Sequence, residues 1–174
     1  GLRYARVNTA IDELDTVRTV SNPSRIAATP TGSYMFTDSD AKVVRIDDAV
    51  PVDLDAEGLR TAQAAPPGTE EVDTAGDFVA YRTDAGAVFA GRLSTGSVAQ
   101  IDPAAGGGSN TPDASSPAYT SDAIAVDARG ELFSYSAAAG TVVRVDIAST
   151  AVQRTDRVVA DATSNTTVPE LALV

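Results

Sequence analysis

The chain has 174 residues, 43% of them hydrophobic, with a formal net charge of −11 at pH 7 and neither cysteine nor histidine. The length predicts one domain or a piece of a larger repeat array, and the apolar fraction is too high for a wholly disordered chain. The acidic balance disfavours nucleic acid and anionic membrane surfaces as partners. The lack of Cys excludes disulfides and thiolate chemistry, and the lack of His removes the commonest general base. No run of about 18 apolar residues occurs, so the sequence predicts no membrane-spanning helix. The chain opens on Gly1 without a visible signal peptide, which indicates a processing or engineering boundary.

A short strand-like motif that contains an arginine recurs along the whole chain. It occurs four times, and its arginines are 39, 47 and 52 residues apart, at Arg6, Arg45, Arg92 and Arg144. This spacing is typical of a repeated four-stranded unit. The motif therefore predicts a repeat architecture.

An aromatic-rich strand precedes the arginine strand in the last three copies. Its residue types and their alternation predict a half-buried strand. A polar turn follows each of these strands, and its Gly or Asp residues supply the backbone angles of a hairpin. The predicted strands cover 34–36, 78–81 and 132–135, and the turns cover 38–42, 84–86 and 137–140.

Two further strands complete each predicted unit. An outer strand follows the arginine strand, and the sequence places these at 51–55, 97–102 and 151–156. A first strand precedes the aromatic one, with candidates at 25–28, 71–73, 124–126 and 170–174. The total is about fifteen strands on the four-strand repeat pattern.

The predicted units divide the chain into a single propeller-like repeat region. Three units are whole and two are partial, and both ends of the chain fall inside a unit. Two loops, 56–69 and 104–120, lie between units, where insertions disturb the sheets least. The second is rich in Gly, Ser and Pro and is predicted to be a flexible linker. The units cover 4–17 (partial), 24–55, 70–103, 121–156 and 169–174 (partial).

The repeated arginines Arg45, Arg92 and Arg144 are the candidate ligand-binding residues. A ring of guanidinium groups around a central channel could hold a carboxylate or a glycan. The alternative is that each arginine pairs with an acidic residue of a neighbouring strand, such as Asp47, Asp102 or Asp146. Recurrence in every unit favours the structural alternative, because a repeated position usually serves repeated packing.

The acidic and glycine-rich segments indicate no catalytic, metal or cofactor site. The carboxylates of 38–40, 47–48 and 53–55 could ligate calcium, but their spacing does not match the calcium loop, so solvated turns are favoured. Glu70 and Glu71 are adjacent on a strand and are predicted to point to opposite faces. The run 106–108 lacks the lysine of a phosphate loop, and the sequon 165–167 is interpreted as chance.

With these repeats, the chain resembles a β-propeller of the loose group that includes quinoprotein-like and WD-like blades. It lacks the Trp-Asp dipeptide of WD repeats and the Trp docking residues of quinone-binding blades. More closely, segments 6–15, 76–83 and 123–127 are similar to the N-terminal extracellular region of large actinobacterial surface proteins with Ig-like or fibronectin type III repeats. That resemblance implies a membrane anchor outside this chain and no catalytic residues.

The expected fold is all-β, with four-stranded antiparallel blades in a propeller-like array. Three whole blades are too few for a ring of about four to eight, so we expect either part of a larger propeller or a homodimer that completes one. The expected function is non-enzymatic: an extracellular binding or scaffold module for a protein or a cell-wall polysaccharide. The alternative is a divergent propeller hydrolase or lyase that uses Asp, Glu and Tyr.

Overall fold

A computed structural model describes residues 1–104, 115 and 117–158. Apart from one short 3-10 helix at Gly58–Thr61, the regular elements in this part of the chain are strands, which confirms the all-β prediction. The strands are β1 (Leu2–Asn8), β2 (Glu13–Val20), β3 (Pro23–Thr29), β4 (Gly32–Thr37), β5 (Lys42–Ile46), β6 (Gln63–Ala64), β7 (Thr69–Ala75), β8 (Phe78–Thr83), β9 (Val88–Arg92), β10 (Ser97–Ile101), β11 (Ala123–Val126), β12 (Glu131–Ser136), β13 (Thr141–Asp146) and β14 (Ala151–Arg157).

These strands form one two-stranded sheet and three four-stranded sheets in the described residues. The small sheet pairs β1 with β2, and each larger sheet joins consecutive strands in chain order: β3 to β6, β7 to β10, and β11 to β14. All of these strand pairs are antiparallel, as the sequence predicts. The predicted final strand at 170–174, the partial unit at 169–174, the glycine run and the sequon lie outside the described residues.

The chain divides into two compact units, Gly1–Ala65 and Pro66–Val174. The first unit contains β1 to β6. Its core combines Tyr4 and Val20 of the hairpin with Met35, Val44, Ile46 and Leu54 of the following segment. Burial of these side chains holds the β1–β2 hairpin onto the four-stranded sheet.

The outer strand of the first four-stranded sheet is not where the sequence places it. The predicted strand 51–55 is absent, and β6, inside the predicted loop 56–69, pairs with β5 instead. Segment 51–55 is engaged elsewhere, because the Leu54 N–H donates to Thr19 O and the Ser21 N–H donates to Leu54 O, both at 2.9 Å. These bonds make a parallel bridge between Val20 and Leu54, so the segment extends the hairpin rather than the sheet.

The second unit contains the two sheets built from β7 to β14. One apolar cluster contains residues from both sheets, including Ala80, Val88, Leu132 and Val145. The first strands also contact each other through carboxylates. The Val126 N–H donates to Asp73 Oδ2 at 2.7 Å, which satisfies a backbone donor on the edge strand β11.

A buried hydroxyl ends the second strand of each four-stranded sheet. Thr37, Thr83 and Ser136 are at most 2% exposed and occupy the last position of β4, β8 and β12. The Ala87 N–H donates to Thr83 Oγ1 at 3.1 Å, and the Ala139 N–H donates to Ser136 Oγ at 3.2 Å. The hydroxyl thus secures the turn to the third strand in two of the sheets, a repeat feature that the sequence analysis missed.

The turns between the second and third strands have the backbone angles that the sequence predicts. Gly86 and Gly140 have φ values of 78° and 62°. In the first sheet, the three non-glycine residues Asp38, Ser39 and Asp40 have φ values of 54°, 56° and 67°. Asp tolerates this left-handed conformation better than most residues because its side chain bonds locally.

Candidate functional site: the β1 groove

The repeated arginines occupy equivalent strands but bond within their own sheets. Arg45, Arg92 and Arg144 lie on the third strand of the three four-stranded sheets. Arg144 forms an ion pair with Glu131, and Arg92 Nη1 lies 3.5 Å from Asp77 Oδ2. In each sheet the contact runs to the beginning of the second strand. Their assignment as ligand-binding residues stays a prediction.

The contacts of Arg92 and Arg45 show how each guanidinium packs. The guanidinium carbon of Arg92 is 4.4 Å from the centre of the Phe78 ring, a cation–π contact. Arg45 Nη2 donates to Thr31 O at 2.9 Å, and the guanidinium lies against Gly32. These contacts give each arginine a structural role in its own sheet.

The acidic partners differ from those named in the sequence analysis. Asp47, Asp102 and Asp146 cap turns: their Oδ1 atoms accept the N–H groups of Ala49, Ala104 and Ser149 at 2.9, 2.9 and 2.7 Å. Short acidic side chains at the end of a strand bond their own backbone in this way. Their carboxylates are therefore used locally.

The adjacent pair Glu70 and Glu71 meets at one arginine. Arg82 Nε donates to Glu71 Oε2 at 2.7 Å, and Arg82 Nη1 is 3.5 Å from Glu70 Oε2. The expectation of opposite faces fails here because β7 is irregular between Thr69 and Glu71, where the register with β8 shifts. One guanidinium thus bridges both carboxylates. No group of three or more Asp or Glu side chains is arranged to hold a metal ion within the described residues.

The first unit contains a groove that we name the β1 groove. Its inner part is a cavity of about 210 Å³. A neighbouring cavity of about 340 Å³ shares Ile46 and Asp48 with it. The inner cavity is lined by Tyr4, Ala5, Arg6, Ile26, Ser33, Ile46, Asp48 and Pro51.

The groove lies against the inner face of the β1–β2 hairpin. Tyr4 pairs with Arg18 and Arg6 with Thr16, so the side chains of Tyr4, Arg6 and Arg18 share one face of the hairpin. All three side chains bond to residues 48–52, which therefore lie over this face. The edge of β1 opposite β2 pairs with no other strand in the described part of the chain.

Polar contacts from the hairpin fix the far wall of the groove, residues 48–52. Arg6 Nη1 donates to Asp48 O at 2.5 Å, and Arg6 also pairs with Asp15. Arg18 Nε donates to Pro51 O at 2.7 Å. The Tyr4 hydroxyl donates to Val52 O, and burial raises the pKa of this phenol. Because three side chains hold the wall, the groove is preformed.

No sequence motif reveals this groove. In the sequence, Tyr4, Ala5 and Arg6 stand out only as one copy of the arginine motif. One feature that indicates the groove is exposed apolar surface, because Ile26 on β3 is 58% exposed. That exposure follows from packing, which the strand pattern of β3 does not reveal.

The turn at Asp47 gives the groove an acid-sensitive wall. The N–H groups of Val50 and Ala49 donate to its carboxylate, and these bonds lower its pKa from the ordinary value of 3.8. A carboxyl group whose pKa is lowered by folding contributes stability above its unfolded pKa, and that contribution is lost as pH falls through the folded pKa. Asp38, Asp53 and Asp146 also have lowered pKa values, because their carboxylates accept hydrogen bonds from Asn22, Thr19 and Ser149, respectively.

We expect Asp47→Asn to lower the melting temperature at pH 7 and to lose this effect in acid. The amide keeps an acceptor oxygen but not the charge that strengthens the two turn bonds. Melting temperatures of both proteins between pH 2.5 and 7 check this, and the difference should narrow below pH 3.8. A difference that stays constant with pH would contradict the role of the charge.

The structure defines an all-β protein whose larger sheets in the described residues are four-stranded and antiparallel. One solved structure similar to the chain is Hsv2 of Kluyveromyces lactis, at 10% identity and a TM-score of 0.38, and the match covers 87% of this chain and 56% of Hsv2. Another is AztD of Citrobacter koseri, at 10% identity and a TM-score of 0.31, and the match covers 84% of this chain and 61% of AztD. The chain thus spans little more than half of each. No protein-family model and no curated protein matches the sequence. No described helix is long and apolar enough to cross a bilayer.

Proposed function

We propose that the chain is a non-enzymatic binding or scaffold module that takes its ligand in the β1 groove. The observation that carries this proposal is the preformed cavity between the hairpin and residues 48–52. Surface composition supports it, because exposed large apolar side chains collect in the first unit. They are Leu2, Val7, Ile11, Leu14, Val17, Ile26, Val50 and Val52, whereas Val158 is the one example in the described part of the second unit. Exposed apolar surface beside a groove marks a site of interaction.

The finer part of the fold proposal is that the four-stranded sheets are propeller blades. The equivalent buried hydroxyls and the meander order of each sheet support a repeated blade. Such blades would belong to a larger propeller, or a second copy of the chain would complete the ring. Light scattering on the purified chain tests the second version, which a strictly monomeric mass would rule out.

The proposed setting is the surface or secreted fraction of a bacterium, with a protein or cell-wall polysaccharide as partner. This setting is supported by the resemblance to actinobacterial surface proteins, and an acidic surface suits a solvent-exposed module. Fractionation of cells that carry the natural full-length protein tests it. Recovery in the cytosolic fraction alone would contradict it.

Chemical-shift mapping tests the binding proposal directly. We expect a digest of bacterial peptidoglycan or a pool of random heptapeptides to shift the amide signals of residues 4–6, 26 and 46–51. Ile26→Asp should abolish the shifts because it places a charge at the cavity, whereas the control Val158→Asp changes an exposed residue of the second unit. Shifts confined to other surfaces would contradict the groove. Hydrolysis of p-nitrophenyl glycosides or esters above the buffer rate would contradict the non-enzymatic proposal.

A further inference from the structure

We propose that the β1 groove binds a short peptide with both ends free, whose carboxylate pairs with Arg45 and whose amino group pairs with Asp48. This inference rests on the proposed function and names the ligand class of its site. Both side chains line the neighbouring cavity at the end of β5, which we name the outer cavity. Its volume of about 340 Å³ lies within the roughly 300–1,000 Å³ of ordinary small-molecule sites.

Arg45 is the motif arginine that lacks an acidic partner in the described part of the chain. The other three motif arginines each pair with a carboxylate. Arg45 Nη2 donates to Thr31 O at 2.9 Å, and the guanidinium lies against Gly32. These contacts hold the guanidinium in place, and no described group accepts a hydrogen bond from its Nη1 atom. A guanidinium with free N–H groups offers a planar fork to a carboxylate.

Asp48 carries the free carboxylate of the outer cavity. Its backbone oxygen accepts a hydrogen bond from Arg6 Nη1 at 2.5 Å, which fixes the residue, while its side chain bonds to no other described residue. The other carboxylate there, that of Asp47, accepts two N–H groups of its own turn. One positive and one negative side chain therefore remain for a ligand, and a ligand with a single charge would leave one of them unpaired.

The inner cavity fits the side chain of the first peptide residue. Asp48 lines both cavities, so an amino group that bonds to it lies where they meet. The inner cavity, at about 210 Å³, is below the roughly 300–1,000 Å³ of small-molecule sites, and Ile26, Ile46 and Pro51 contribute apolar surface to it. A single apolar side chain next to the amino group therefore fills it.

Two residues are enough to connect the charged ends. Among the described residues, Arg45 and Asp48 form no ion pair with each other, so a ligand has to span the gap between them. A single α-amino acid carries both charges on one carbon, whereas a dipeptide spans up to about 7 Å. The minimal ligand is a dipeptide with an apolar first residue.

The test titrates the whole chain with dipeptides and follows the amide signals of residues 45–49. The probe is Leu-Gly, and its controls are N-acetyl-Leu-Gly, Leu-Gly amide and Gly-Leu. We expect the two capped controls to bind at least about tenfold more weakly, because each loses one charge-assisted pair. Gly-Leu should also bind more weakly, because its apolar side chain lies away from the amino group.

Three variants of the chain locate each end of the dipeptide. Arg45→Gln should weaken binding of Leu-Gly about tenfold or more, and this variant should no longer distinguish Leu-Gly from its amide. Asp48→Asn should have the same effect on affinity and should no longer distinguish Leu-Gly from its N-acetyl form. Arg92→Gln changes the equivalent arginine of the second unit and should leave the affinity unchanged.

The outcomes separate this inference from the proposed function. Equal binding of the capped dipeptides would overturn the pairing of both ends, and equal binding of Gly-Leu would overturn the orientation. Full affinity in Arg45→Gln or Asp48→Asn would overturn the location. If no dipeptide binds while peptidoglycan fragments or heptapeptides still shift the groove residues, the dipeptide inference is wrong and the binding module stands. If no ligand shifts the groove residues, both proposals are wrong.

Discussion

Leu132→Ala is expected to lower the free energy of unfolding by about 2–5 kcal/mol. Leu132 is fully buried in the cluster that joins the two sheets of the second unit, where Ile124 and Val143 are also members. Removal of the side chain loses its transfer free energy and leaves a cavity between sheets that cannot fully collapse. Urea denaturation followed by circular dichroism measures the effect.

A matched control for this prediction is Leu14→Ala. Leu14 is 64% exposed on β2, so its truncation should change stability by less than about 0.5 kcal/mol. A loss below about 1 kcal/mol for Leu132→Ala would contradict the packed interface between the two sheets.

Gly91→Ala is expected to cost about 3 kcal/mol, at the upper end of the range for overpacking. A Cβ atom at Gly91 would lie 1.9 Å from Ser97 O and 2.8 Å from Val98 Cα. Both contacts are with the backbone of β10, which no change of rotamer relieves. Strand β10 must therefore move away from β9. Amide exchange in β10 should become faster, and denaturant unfolding gives the loss of stability.

Gly140→Ala separates this steric effect from backbone strain. Gly140 has a φ of 62°, and among the described residues the atom nearest to its added Cβ is Val158 O at 3.9 Å. We expect a cost of about 1 kcal/mol from the left-handed conformation and no change of exchange in β10. Equal losses for both variants would show that close approach at Gly91 is not the cause.

Gly91 also shows what the repeat pattern left unexplained. The residue before the motif arginine is Val44 in one copy and Val143 in another, so the pattern predicts an apolar side chain there. The structure explains the glycine, because the β10 backbone closes over it. The contact depends on how tightly the fourth strand packs, and local sequence does not encode that distance.

The fourth strands were also the least predictable elements. Strands β10 and β14 agree with the sequence because short turns place them directly after the arginine strand, at Ser97–Ile101 and Ala151–Arg157. In the first sheet, segment 51–55 has the residue types of a strand, yet β2 takes its backbone bonds. Competition between two partners for one segment is a non-local effect.

The candidate site was less accessible to sequence reasoning than the fold. The motif pointed to Arg45, Arg92 and Arg144, but these side chains contact their own sheets. The β1 groove depends on Ala5, Ile26 and Pro51, which come from three separate segments and share no motif. Their meeting results from the packing of the hairpin against the sheet.

The sequence by itself determined the strand content, the antiparallel hairpins and the positive-φ turns, because alternation and turn chemistry act over a few neighbouring residues. Tertiary structure alone decided which segment became β6, why residue 91 is glycine, and where the hairpin and residues 48–52 enclose a cavity. Those outcomes depend on contacts between residues far apart in the chain. Local pattern fixes the strands, and packing between strands decides what remains open to a ligand.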